Sequence, residues 1–193
     1  CLPHFVDHGQ PAELGLNFYG HPPAIPGLVQ DACEGLGAAG PKPQTLCLSF
    51  NGNKIITTGG GGMVLTRSQT VAQRVRSLAG HAKAEGWIHD DVGVNARMPA
   101  MNAALGLAQI ARLNAFLASK RATRDHYEAG LARMGLTLLE SPPGTVSSWW
   151  MPLVLFDRPA APIIDALRLE GVEARAVWSP LHRQAPYRRF DCD

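Results

Sequence analysis

No stretch of this chain is apolar for long enough to span a bilayer, and neither a membrane span nor a secretory-type leader is expected in it. Charge is scarce as well: 18% of residues are Asp, Glu, Lys or Arg, and they nearly cancel to a net +2. So slight a surplus lacks the electrostatic footprint of a nucleic-acid binder or of a protein docking on anionic lipid, and neither partner is expected. Four cysteines, Cys1, Cys33, Cys47 and Cys192, form no CxxC pair and no regular framework, which points to a reducing, cytoplasmic setting. The histidines have no metal-ligand spacing such as HExxH, so no metal is expected. An initiating Met is also lacking. The chain opens at Cys1 and runs into strand-like Phe5-Val6, so the expectation is that an N-terminal part is missing.

What is present is enough for one or two small domains with a buried core: 193 residues, 46% of them apolar. Residues 1–46 are rich in Gly and Pro. Within them, residues 28–31 read as a short buried strand ending in the acid Asp31. A second strand over 45–50 runs into the turn Asn51-Gly52-Asn53. The β-type runs 55–58 and 63–66, separated by four glycines, predict paired strands with a flexible connection. From about Ser68 the period becomes helical, through Val71, Val75 and Leu78. A second helical region starts at Pro99, a residue suited to a first turn, and continues to Leu131. That is too long for one unbroken globular helix, so a break is expected near Asn114, with a domain boundary dividing 1–113 from 114–193. Beyond it, a strand over 150–156, a helix over 161–170 closed by Gly171, and a strand over 172–177 suit a small α/β domain.

The residues with the most chemical content lie between Cys47 and Met63. Lys54 sits in a Gly/Asn turn between apolar runs. A lysine desolvated in such a cleft loses its proton and becomes a nucleophile suited to a Schiff base. Taken alone, a lysine in a hairpin turn is more often a solvated surface charge. The glycine run is more often a mobile hairpin than a ligand cradle, although a nucleotide-binding module stays open as a reading. It is not a Walker A loop, because Lys54 precedes the glycines and no Gly-Lys-Ser/Thr follows.

Several segments in one order alter that weighing. Ser49-Phe50, Lys54 and Thr57-Thr58-Gly59-Gly60-Gly61-Gly62 resemble the Schiff-base motif of the DegT/DnrJ/EryC1/StrS aminotransferases, the sugar-modifying branch of fold-type I enzymes that use pyridoxal 5′-phosphate (PLP). The Asn51-Gly52-Asn53-Lys54 form is most similar to the branch acting on UDP-4-keto-sugars toward bacillosamine or legionaminic acid. Gln30-Asp31-Ala32-Cys33-Glu34 resembles the family's Glu-Asp-Ala-Ala-Gln/Glu segment, and residues 89–98 resemble its His-Asp-x-Val-Gly-Tyr-Asn-Tyr-Arg-Met/Leu, with Val94 and Ala96 where aromatics are usual. Residues 178–187 resemble Trp-x-Pro-Leu-His-x-Gln-Pro.

The resemblance implies a role for each matched residue. Lys54 would carry the cofactor and shuttle the proton. Asp31 would face the pyridine nitrogen and keep it protonated, so that the ring accepts carbanion electrons. Glu34 would lie near the O3′ side of the cofactor and Ser49 would touch its phosphate. Asn95 would reach the phosphate bound to a neighbouring subunit, which implies a homodimer. His182 would contact substrate or fix a loop.

The implied fold is α/β: a partial fold-type I large domain with a mostly parallel sheet, plus a small C-terminal domain. The implied activity is transfer of an amino group from L-glutamate to a nucleotide-linked 4-keto-sugar in surface-glycan biosynthesis. Against it stands the absence of the family's Gly-Thr-x-Ala phosphate cup and of early sheet strands. The alternative is therefore a truncated, inactive remnant that acts at most as a binding module.

Overall fold

A computed structural model gives the positions of residues 14–24 and 28–187; the strand expected at Phe5-Val6 lies outside the described residues. The chain order is β1 (Leu14–Leu16), β2 (Val29–Asp31), β3 (Thr45–Ser49), β4 (Gly62–Thr66), α1 (Gln69–Ala79), α2 (Ala100–Ile110), α3 (Leu113–Ala132), β5 (Thr137–Leu138), β6 (Val154–Leu155) and α4 (Ala161–Leu169). Strands β1 to β4 form one sheet in sequence order. The β1–β2 and β2–β3 pairs are parallel and β3–β4 is antiparallel. In this register Asp31, the last residue of β2, stands between Leu16 and Cys47. It therefore lies at the carboxyl end of the parallel strands, where open α/β sheets bind their ligands.

The expected pairing of 55–58 with 63–66 does not form. Instead β4 turns back onto β3, from Thr45–Thr66 to Ser49–Gly62. Gly62 permits the approach, because a Cβ there would stand 2.4 Å from the Leu48 carbonyl oxygen. Residues 55–58 serve the core. Ile56, 2% exposed, packs with Ala32, Leu48 and Phe50, and half-buried Leu36, Leu46, Met98, Leu113 and Phe116 surround them.

A strand at 55–58 would also have needed backbone partners, and α2 supplies them from side chains. Gln109 accepts the Thr57 N–H through Oε1 (2.9 Å) and donates from Nε2 to the Thr57 carbonyl (2.9 Å), while Asn102 donates to the Thr58 carbonyl. One amide side chain thus stands in for a missing strand. Gln109→Ala strips both partners at once. We expect a loss of roughly 1–3 kcal/mol, read as a lower urea midpoint with unchanged slope.

Helix α1 begins where expected, with Ser68 Oγ accepting the Val71 N–H at 3.3 Å, and it packs on β4. Pro99 caps α2, and the expected break falls at Ala111–Arg112, between α2 and α3. The compact units divide elsewhere than after residue 113: one runs to Val154 and another begins at Leu155. Helix α3 stays with the first unit because Leu117, 7% exposed, seats over Gly37, where an added Cβ would lie 2.4 Å from Leu117 Cδ1.

In the second unit α4 has proline in its first turn, and Gly171 follows its end at φ +76°. The strand expected over 172–177 is absent. Val172 and Val177 are exposed there, and Arg175 pairs with Glu173 two residues away. Of the run expected over 150–156, only β6 is a strand. A strand needs a neighbour to receive its backbone hydrogen bonds, and none among the described residues pairs with 172–177.

Candidate active site

The turn that presents Lys54 is closed by its own backbone: the Lys54 N–H donates to the Asn51 carbonyl at 3.1 Å. A second clamp comes from 97 residues further on, where the Trp150 indole Nε1 donates to the Asn53 carbonyl at 2.7 Å. Trp150 is itself fixed, with 3% exposure and its carbonyl accepting from Lys120 Nζ at 3.0 Å. These contacts turn the Lys54 side chain inward, leaving it 13% exposed. Its ammonium lies 4.5 Å from the centroid of the Trp150 ring and 3.6 Å from Glu34 Oε1. One amine thus meets a carboxylate on one side and a π face on another.

Glu34 is held as firmly as the lysine. Its Oε2 accepts the Tyr19 N–H at 2.8 Å, and its carbonyl accepts from Ser148 Oγ at 2.9 Å. Tyr19 and Trp149 both adopt left-handed backbone conformations, φ 52° and 53°. Such conformations cost about 1–3 kcal/mol each and persist where surrounding contacts fix them. Burial pushes the Glu34 carboxyl above its ordinary range, while the Tyr19 N–H and the Lys54 charge pull it back.

A raised carboxyl in the folded state binds its proton more tightly than in the unfolded chain. Glu34 therefore subtracts stability as pH rises from the ordinary glutamate range through the raised value, and the loss is constant above it. Glu34→Gln should flatten that part of the stability–pH curve, as measured by thermal unfolding across mildly acidic buffers. An unchanged slope would mean that Glu34 is not the group responsible.

Asp31 occupies the same neighbourhood without pairing directly with the lysine. Its Oδ1 accepts the Cys33 N–H at 2.9 Å. Burial, together with the adjacent Asp31 carboxylate, pushes the Cys33 thiol up to about 12, with the Lys54 charge opposing. Cys47, opposite Asp31 on β3, is raised by burial and by the same carboxylate. Both thiols are therefore held protonated and poorly nucleophilic. The ion-pair partner of Lys54 is Glu34, three residues beyond the acid on which the sequence places most weight.

The other sequence-derived residues are more dispersed. Ser49, half-buried at the end of β3, uses its hydroxyl to accept the Asn51 N–H at 3.3 Å. Asn95 is exposed and bridges to Gly80. It lines an open concavity of about 530 Å³ with His81, Lys83 and Arg97, whose lining does not include Lys54, Glu34 or Trp150. His182 is half-buried in a short 3-10 turn, Leu181–Arg183, in the unit that begins at Leu155. Sequence reasoning missed Trp150, Tyr19 and Ser148 as neighbours of the Lys54–Glu34 pair. Adjacent large aromatics such as Trp149-Trp150 suggest burial, and nothing in the local pattern indicates what they cover.

A family model, the DegT/DnrJ/EryC1/StrS aminotransferase family, matches residues 27–191. This chain belongs to that family. Among its relatives, EpsN of Bacillus subtilis, proposed to be a pyridoxal phosphate-dependent aminotransferase, is 33% identical over 168 residues, covering 81% of this chain and 43% of EpsN. The GDP-perosamine synthase of Caulobacter vibrioides is 34% identical over 181 residues, covering 86% of this chain and 48% of the synthase. The chain thus spans about half the length of these curated relatives. The crystal structure of the aminotransferase TlmJ from Streptoalloteichus hindustanus superposes with a TM-score of 0.81 at 25% identity, over 95% of this chain and 56% of TlmJ.

The fold is accordingly part of a fold-type I transferase of the DegT/DnrJ/EryC1/StrS family, whose enzymes use PLP. The side chains present suit the ring end of that cofactor. A mostly buried amine is available to its aldehyde carbon, and an acid stands at the carboxyl end of β2. Ser49, at the end of β3, is the residue whose hydroxyl would be available to the phosphate.

Proposed function

We propose that this chain forms the lysine-bearing part of an enzyme that moves an amino group from L-glutamate to a nucleotide-linked 4-keto-sugar. The setting would be cytoplasmic and the product would enter surface-glycan biosynthesis. The observation that carries this reading is the Lys54 amine, 13% exposed and held between Glu34 and Trp150 at the carboxyl end of the parallel strands.

PLP, when bound, supplies an electron sink for the carbanion formed at the Cα of the amino donor. The rest is the work of side chains. Lys54 anchors the cofactor covalently through Nζ. The same amine would be the base that holds the proton removed from the donor Cα. The Glu34 carboxylate and the Trp150 ring fix where that nitrogen waits, and positioning of this kind is a large part of the rate gain. Asp31 would supply the counter-charge for the pyridine nitrogen, and Ser49 would hydrogen-bond the phosphate.

Asn95 acts across a homodimer interface, which accounts for its exposed place away from its own chain's Lys54. His182 contacts the sugar substrate. The experiment is amine transfer from L-glutamate to a panel of UDP-, GDP- and TDP-linked 4-keto-sugars, followed by the loss of 2-oxoglutarate production when the keto-sugar is omitted. Cofactor uptake without transfer to any of them would favour a binding module instead.

A further inference from the structure

The sequence has six asparagines, and only Asn51 is followed by glycine; the residues after the others are Phe18, Lys54, Ala96, Ala103 and Ala115. Asn51 and Gly52 are both exposed, at the head of the turn that presents Lys54. The backbone N–H of Asn51 and its carbonyl are engaged, with Ser49 Oγ at 3.3 Å and the Lys54 N–H at 3.1 Å. Among the described residues no hydrogen bond engages the Asn51 side-chain amide or the Gly52 N–H. Asn17 and Asn102, by contrast, have side chains tied to Gln30 and to the Thr58 carbonyl.

We propose that Asn51–Gly52 is a self-modification site, at which Asn51 loses its side-chain amide to water and leaves a carboxylate at the head of the Lys54 turn.

The reaction needs no partner other than solvent. The Gly52 backbone nitrogen, giving up its proton to solvent, attacks Asn51 Cγ. The N–Cγ bond forms, the Cγ–Nδ2 bond breaks and ammonia leaves, closing a five-membered succinimide. Water then opens the ring at either carbonyl, giving aspartate or isoaspartate, with no change of oxidation state. Glycine matters here because it has no side chain to hinder the attack and its backbone reaches the needed angles freely. The Gly52 N–H, being unbonded, can be surrendered without breaking structure.

The consequence falls on Lys54. Either product adds a negative charge three residues before it. Isoaspartate also inserts a backbone carbon into a turn that is held at one end by the Lys54 N–H to Asn51 bond and at the other by the Asn53 carbonyl to Trp150 bond.

The structure also supplies the control. A Cβ at Gly52 meets nothing within 4 Å, and its φ lies outside the left-handed range, so Gly52→Ala fits the turn. The purified protein is aged at mildly alkaline pH, digested, and mapped for conversion of amide to acid and for isoaspartate. We expect the acidic form to accumulate at Asn51 ahead of the other five asparagines. In Gly52→Ala, Asn51 should fall to their rate. Conversion at Asn51 no faster than at Asn53 or Asn95, or equally fast in Gly52→Ala, overturns the proposal. The readout is the mass of one peptide, so it stands or falls independently of cofactor binding and of amine transfer.

Discussion

Lys54→Met is expected to lower the proposed amine transfer by roughly a hundred- to ten-thousand-fold, the range for loss of a positioned proton-transfer group, and to abolish the visible absorption of bound PLP. Methionine keeps the length and apolar stem of lysine, so packing against Trp150 survives. The variant deprives Glu34 of its cationic neighbour, which removes one of the influences opposing burial and moves that carboxyl further in the direction of its neutral form. The protein should therefore stay folded while losing activity, which separates a chemical role from a structural one. Unchanged circular dichroism together with lost absorption is the expected result. Retention of the chromophore in Lys54→Met would assign the cofactor to another amine.

The second large effect is on stability. Trp150 is 3% exposed, stacks at 5.8 Å between ring centroids with Tyr19, donates to Asn53 and faces the Lys54 ammonium. Trp150→Ala removes all of this and leaves a cavity, for an expected cost of about 3–5 kcal/mol. Trp150→Phe keeps an aromatic face toward Lys54 and forfeits mainly the bond to the Asn53 carbonyl, about 0.5–1.5 kcal/mol. Denaturant unfolding followed by far-ultraviolet dichroism distinguishes them. A Trp150→Ala variant within about 0.5 kcal/mol of the parent, the margin of ordinary surface substitutions, would show that Trp150 does not hold the Lys54 turn.

Local patterns made much of the scaffold legible. Ser68 and Pro99 mark the starts of α1 and α2, and the acid closing β2 is where the short apolar run places it. The two misread runs share one cause. Residues 55–58 and 172–177 have strand-like composition, but β-type residues describe what suits a pleated, half-buried surface and do not guarantee a neighbouring strand. At 55–58 the place of that neighbour is taken by the side chains of Gln109 and Asn102, 52 and 44 residues further along the chain from Thr57 and Thr58.

The site divides in the same way. The motif around Lys54 and the acids at 31 and 34 were readable because each lies in a short contiguous segment. The pairing of Lys54 with Glu34 in preference to Asp31, and the closure of the site by Trp150, depend on contacts across long sequence separations that periodicity cannot carry.

One further amine sharpens the account. Lys120 is half-buried, its pKa is lowered by burial, and it donates to the Trp150 carbonyl. Of the four lysines it is the one whose pKa burial lowers, which makes it the competing amine for an aldehyde. The direct measurement is to mix the protein with PLP, reduce with borohydride so that the cofactor is fixed to whichever amine holds it, and map the label by peptide mass. One label per chain is expected, on the peptide containing Lys54. A label on Lys120, or one spread over Lys42, Lys83 and Lys120 with Lys54 unmodified, would contradict it.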